Sequence, residues 1–231
     1  MRRRSLALLA ALTLAFSAGA AHAASRVTDP YLGAPDTQIT SGPTGAISIG
    51  RPTFEFSATE PGSTFMCRFD DGDFTNCVSP YTPSQPLSQG EHTFRVFARD
   101  LAGNEDQSPA ERTFTVDRNV TGANVSAKRS QKQKRRRVTV KIAVRASETV
   151  RVTARGSIDV GKRKLPLKSR TVTLAGGRRQ VILGPRHKSS NRRILAQLRK
   201  GKAVVANLTG TFVDALGNRA TSGTVEVKLK R

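Results

Sequence analysis

Apolar and polar residues alternate in short runs along most of this chain. PTFEFSA, STFMCRF, FTNCV, HTFRVFARD and RTFTVD follow one another between residues 52 and 117, separated by residues that favour turns. A period of two places alternate side chains on opposite faces, so each run predicts a half-buried strand. Phe94, Val96 and Ala98 share one face of the fourth run, and Phe114 and Val116 share one face of the fifth. Glu60-Pro61-Gly62 reads as a turn, ITSGPTG as a loop opening, and SPYTPSQPLSQGE as a longer connection. Thr, Val and Phe dominate the runs, as pleated half-buried surfaces prefer. Short strands with regular turn punctuation predict an antiparallel sandwich.

A second alternating series begins at Val138. Val138, Val140, Ile142 and Val144 point one way, and Thr139, Lys141 and Arg145 point the other. TVRVTARGSIDV, RTVTL, AVVANLTGTFVD and TVEVKLK obey the same rule. SSNRRILAQLRKGK departs from it. Ile194, Leu195 and Leu198 fall on one helical stripe, Ser190 or Asn191 can cap the start, Lys200 sits in the last turn and Gly201 can stop it. Both series end alike, in a long strand, an Asp-x-x-Gly-Asn stretch and a closing strand. The stretch comprises Asp100, Gly103 and Asn104 in the first series and Asp214, Gly217 and Asn218 in the second. Gly and Asn tolerate positive φ and Asp can bond nearby amides, so a tight turn used twice is expected. The fold class expected is all-β, with two tandem antiparallel β-sandwiches, the second carrying one short helix. Two copies are too few for a solenoid.

Charge divides the chain where the pattern does. Residues 24–117 hold thirteen acidic and six basic side chains, a net of −7; residues 118–231 hold four acidic and thirty basic, a net of +26. The overall +22 conceals this asymmetry, which signals two surfaces of different character. The expected organisation is a signal peptide (1–23), an N-terminal segment (24–34), an acidic domain (35–117), a basic linker (118–137) and a basic domain (138–231). The signal peptide rests on a basic start at Arg2–Arg4, an apolar run to Phe16 and Ala-His-Ala at 21–23. The run falls short of a membrane span, and no later run is long enough to be one. The expected location is secreted or extracytoplasmic. In such a compartment Cys67 and Cys77, the two cysteines of the chain, should bridge across a hairpin turning at Asp70–Asp73.

Chemistry-bearing motifs are few. GSIDVGKR fits G-x-x-x-x-G-K but lacks the following Ser/Thr and helix of a phosphate-binding loop. FDDGDFTNC has three carboxylates but no distal Glu to complete a calcium loop. His92 and His187 stand apart, without the ligand spacing of a zinc site or a nucleophile motif. The reading is therefore non-catalytic, with no cofactor and no metal. The basic half offers an electrostatic alternative: Lys128, Lys134, Arg135, Arg136, Arg137, Lys162, Arg163, Lys164, Arg192, Arg193, Arg199 and Lys200 would attract a polyanion. Its single aromatic, Phe212, argues against base stacking and so against nucleic acid. The same cations read as well as a solvated, charge-rich face; where they bind, an anionic cell-envelope polymer, a lipid headgroup or another surface protein is the expected partner.

The first series resembles the bacterial immunoglobulin-like domains of secreted and surface proteins, which often occur in tandem. The residues that carry the resemblance are PDTQITSGP, PTFEFSATEPGSTFMCRFDDGDFTNCVSPY and GEHTFRVFARDLAGNEDQSPAERTFTVD, covering about 35–117. Asp73 departs from the Gly or small residue common there. The resemblance implies an immunoglobulin-like sandwich, a Cys67–Cys77 bridge, a structural, adhesive or binding role, and no catalytic residues. The second series resembles the basic C-terminal sandwich modules of similar exported proteins more loosely, and that likeness implies no defined activity.

Overall fold

The computed structural model of the chain describes residues 33–134 and 136–231. The expected signal peptide (1–23), most of the N-terminal segment and Arg135 lie outside the described residues.

Seven strands surround the first core: β1 (Thr37–Ser41), β2 (Gly45–Ile47), β3 (Glu55–Ala58), β4 (Thr64–Phe69), β5 (Thr75–Cys77), β6 (Gly90–Arg99) and β7 (Ala110–Val116). β1 and β3 pair as one sheet; the other has the order β2-β7-β6-β4-β5. β6 alternates as its sequence predicts, with His92, Phe94, Val96 and Ala98 buried. Its Phe94 meets Phe54, Phe56, Phe69 and Tyr81, so aromatic rings fill the space between the sheets. ITSGPTG, read as a loop, instead contributes to both sheets. β1 pairs with β3, and three residues after β1 ends the chain re-enters as β2, parallel to β7. Gly42 permits the switch, because its φ is +147° and a Cβ there would stand 2.5 Å from the Phe54 ring. β2 is parallel to β7 and too short to show alternation, which is why the pattern missed it.

The second core is built by β8 (Asn124–Ser126), β9 (Ser130–Lys132), β10 (Val140–Val160), β11 (Arg163–Pro166), β12 (Arg170–Leu183), α1 (Lys188–Arg199), β13 (Val204–Val213), β14 (Arg219–Thr221) and β15 (Val225–Lys230). All eight strands belong to one sheet. Two runs that read as separate strands are one 21-residue β10, and RTVTL extends into a 14-residue β12. The register between them shifts from Ala146 to Thr149, opposite Gly176 and Gly177, both at positive φ. A bulge facing two left-handed glycines bends the ribbon, so both halves turn their apolar residues toward one core. The 118–137 stretch is more than a linker. β8 pairs with β10 and buries Val125, and β9 pairs in parallel with β15.

The helix also differs from expectation at its start. It begins at Lys188 with His187 as N-cap and no side-chain cap, so neither Ser190 nor Asn191 caps it. Ser190 is buried, and Asn191 Oδ1 accepts the Val138 N–H at 3.0 Å, stitching the helix to the start of β10. The end follows the sequence. Gly201 takes φ +68°, and the Gly201 and Lys202 N–H groups return to Leu198 and Gln197, which satisfies the last free carbonyls.

Candidate functional sites

Cys67 and Cys77 form the one disulfide, joining β4 to β5. Closing a loop of this length contributes roughly 3 kcal/mol in the chain-entropy view. Reduction should lower the unfolding free energy of the first core by about that amount and its urea midpoint with it, as read by urea titration with and without reductant; a midpoint unmoved by reductant would show that aromatic packing alone holds the hairpin.

The Asp-x-x-Gly-Asn stretches have the same geometry. Asp100 Oδ1 and Oδ2 accept the Asn104 backbone and side-chain N–H groups at 2.7 and 2.8 Å. Asp214 receives both from Asn218 at 2.8 Å. Gly103 and Gly217 take φ +92° and +86°. The second loop makes one further bond, from Asn218 Nδ2 to the Asp117 carbonyl at 2.8 Å. Asp117 follows β7 directly, so this loop holds the chain where it leaves the first core.

Asp106, six residues beyond Asp100, does separate work. It is 5% exposed. Its carboxylate accepts the Thr37 N–H at 2.9 Å and the Ser108 N–H and hydroxyl at 2.8 and 2.9 Å, fastening β1 to the β6–β7 connection. Burial pushes its pKa up, but these bonds from Thr37 and Ser108 outweigh it and hold the carboxyl below the ordinary value. A depressed folded pKa stabilises the fold above the unfolded carboxylate range, and that contribution is lost as pH falls through the folded value. Asp106→Asn should therefore cost roughly 1.5–3 kcal/mol at neutral pH, with the gap to wild type closing in acid. Urea melts from pH 7 downward check this; a gap constant with pH would assign the loss to shape rather than charge.

Ser88, His92 and Asp70 form a grouping that their positions in sequence did not signal. His92 Nδ1 lies 2.7 Å from Asp70 Oδ2, and Nε2 lies 3.4 Å from the Ser88 hydroxyl. The order matches a hydrolytic triad, but Nε2 sits closer, at 3.1 Å, to the Ser88 carbonyl. The Ser88 carbonyl therefore competes with the hydroxyl for Nε2, and the ring is held by Asp70 on one side and the Ser88 backbone on the other. Asp70 also accepts the Thr93 N–H at 2.9 Å. The grouping clamps the β4–β5 turn onto β6.

Asp117, Glu148 and Asp214, all half-buried, each place one carboxylate oxygen within 4.8 Å of the other two. A hard divalent cation takes six to eight oxygens when it is calcium, so these would supply part of a shell. Each carboxylate already has protein donors. Thr121 donates its N–H and hydroxyl to Glu148, Asn218 donates to Asp214, and Gln89 and Asn119 donate to Asp117. The three come from separate segments, so no sequence spacing announces them.

The structure scatters the cations chosen from sequence runs. Lys162 belongs to the β10–β11 hairpin turn, with Arg163 and Lys164 opening β11. Arg192 and Arg193 are exposed on α1; Arg199 and Lys200 end it. Lys134 and Arg137 form an isolated bridge, flanking exposed Arg136. Lys128 lies beside β9. Gly156 of GSIDVGKR lies inside β10 rather than at its end, and Gly161 forms the hairpin turn. The structure gathers a basic set that only partly overlaps the one chosen from sequence. Arg137, Lys168, Arg170, Arg179, Arg186 and Lys188 line one groove of about 730 Å³. Ion pairs among the described residues all lie between Asp70 and Glu111, so none neutralises these cations. Among the described residues no helix is long and apolar enough to cross a membrane.

No family model and no curated protein matches the chain. Among solved structures it is similar to a Ca2+-stabilized ice-binding adhesin of an Antarctic bacterium (17% identity, 86% of this chain, 49% of that chain, TM-score 0.38). It is also similar to the fibronectin(III)-like modules of Clostridium thermocellum CbhA (15% identity, 84% of this chain, 94% of that chain, TM-score 0.33). The chain thus spans about half the length of the adhesin structure. At such TM-scores the likeness carries no functional weight.

Proposed function

We propose that the chain is an exported, non-catalytic structural or adhesive module made of two sandwiches in tandem, with a secreted or cell-surface location. The observation that carries this reading is the pinned connection between the two cores. Asn218 holds the Asp117 carbonyl, Glu148 holds the Thr121 N–H and hydroxyl, and the Ser147 N–H bonds the Thr121 carbonyl at 3.0 Å. Four bonds within five residues of connection keep the modules in a set orientation, as a load-bearing or spacing element requires and a flexible tether does not. The disulfide in the first core supports an oxidising compartment.

The test is to express the full chain in a bacterial host, fractionate the cells and titrate thiols in each fraction. The reading expects an extracytoplasmic protein with no free thiol. Recovery only from the cytosol with both thiols free would overturn it, as would product release from a panel of ester, glycoside and peptide substrates.

A further inference from the structure

The basic groove has a continuation. Beside it lies a second groove of about 530 Å³ that shares Thr139 and Gln180 with the first. Lys128, Lys132, Lys141 and Arg178 line it. The two together form one track that passes over the start of β10 and the end of β12. Ten cationic side chains line the track, and neither an acidic nor an aromatic one does. Like charges this dense repel one another, and the described ion pairs leave them uncompensated. A bound anion would relieve that repulsion.

We infer that this track is a binding site for a linear phosphodiester polymer that carries no bases, of the polyol-phosphate kind. Three features select that occupant. Two grooves run into one another and cations line both, which matches a polymer with a charge at every repeat rather than a single small anion. Five of the ten cations are arginines, Arg137, Arg170, Arg178, Arg179 and Arg186, whose planar forks match phosphate oxygens. Between the cations the groove exposes Ile182 and part of Val172, which offers apolar contact to the carbon segments between phosphates. Nucleic acid is disfavoured by the absence of a stacking ring along the track, since single-strand sites use aromatic platforms. The inference goes beyond the structural role proposed above, which would stand even if the track bound nothing.

The test measures binding of the full disulfide-bonded chain to purified poly(glycerol phosphate) across a salt series, with oligo-dT of equal phosphate number as a second probe. The variant Arg170→Gln/Arg179→Gln/Arg186→Gln removes three charges from the track. Arg192→Gln/Arg193→Gln/Arg199→Gln removes three from α1, outside it. The track variant should bind at least ~10-fold more weakly, with a log–log salt slope shallower by about 2, as loss of three phosphate contacts predicts. The α1 variant should stay within about threefold of wild type, since it loses only long-range attraction. All six side chains are exposed, so both variants should melt like the parent. Equal losses in both variants would overturn the track as a site and leave only a diffuse charged surface. Absence of binding at low salt, or tighter binding of oligo-dT than of poly(glycerol phosphate), would overturn the ligand. None of these outcomes alters where the protein fractionates, so failure here is distinguishable from failure of the exported role.

Discussion

Phe54→Ala should lower the stability of the first core by about 3–5 kcal/mol, the range for losing a fully buried aromatic ring. Phe54 is 0% exposed. Its ring stacks on Phe94 at 4.2 Å and meets Phe114 at 5.5 Å and Phe69 at 5.9 Å. It also touches the Gly42 crossover, so the cavity would open where the chain changes sheets. Its backbone exchanges two hydrogen bonds with Tyr81, which anchors the surrounding loop and limits collapse into the void. A loss of that size is a large fraction of a domain's typical ~5–15 kcal/mol. Urea unfolding followed by circular dichroism and tyrosine fluorescence checks it, with Phe54→Leu as a milder companion. A loss below about 1 kcal/mol would show that neighbouring rings close over the gap.

Gly156→Ala should destabilise the second core by at least about 2–3 kcal/mol, through overpacking against groups that cannot yield. A Cβ at Gly156 would stand 2.3 Å from the Asn207 carbonyl oxygen and 3.2 Å from the Leu208 Cα. Both are backbone atoms of β13, paired with β10 through nine residues, so relief requires parting two central strands. Gly156 also marks where the other edge of β10 changes partner, from β12 at Ala154 to β11 at Ser157, and its carbonyl accepts the Leu167 N–H. Gly161→Ala is the informative comparison. That position has open space but φ +60°, so its cost of about 1–2 kcal/mol is conformational. Thermal melts of the two variants separate the effects; a cost at Gly156 no larger than at Gly161 would refute the steric account.

Gly156 also illustrates how sequence reading and structure divide the work. In sequence it belongs to a seven-residue string that resembles a phosphate loop, and the string could be discounted on its own terms. What the glycine does could not be read, because the atom it makes room for lies 51 positions away. The same holds for Gly42 and the Phe54 ring. By contrast Phe94, Val96, Ala98, Phe114 and Val116 were legible as core, since alternation encodes which face is buried without reference to the partner. The helix stripe was equally legible at Ile194 and Leu198, both buried. Its start was not, because Ser190 and Asn191 were taken by tertiary contacts instead of capping.

Local pattern and chemistry therefore determined the all-β class, the hairpin bearing Cys67 and Cys77, the turn chemistry at Asp100–Asn104 and Asp214–Asn218, and the split between acidic and basic halves. Each depends on side chains a few residues apart or on summed charge. Tertiary structure decided which cations lie together. Runs such as Lys134–Arg137 and Arg192–Arg193 draw attention in sequence, yet the track collects Arg170, Arg179 and Arg186 from a strand and the loop after it, alongside Lys128 and Arg137 from another segment. The bend of β10 and β12 at Gly176 and Gly177 governs that gathering. Electrostatic sites depend on distance through space, and a bulge that folds a sheet upon itself rewrites those distances while leaving the order of residues unchanged.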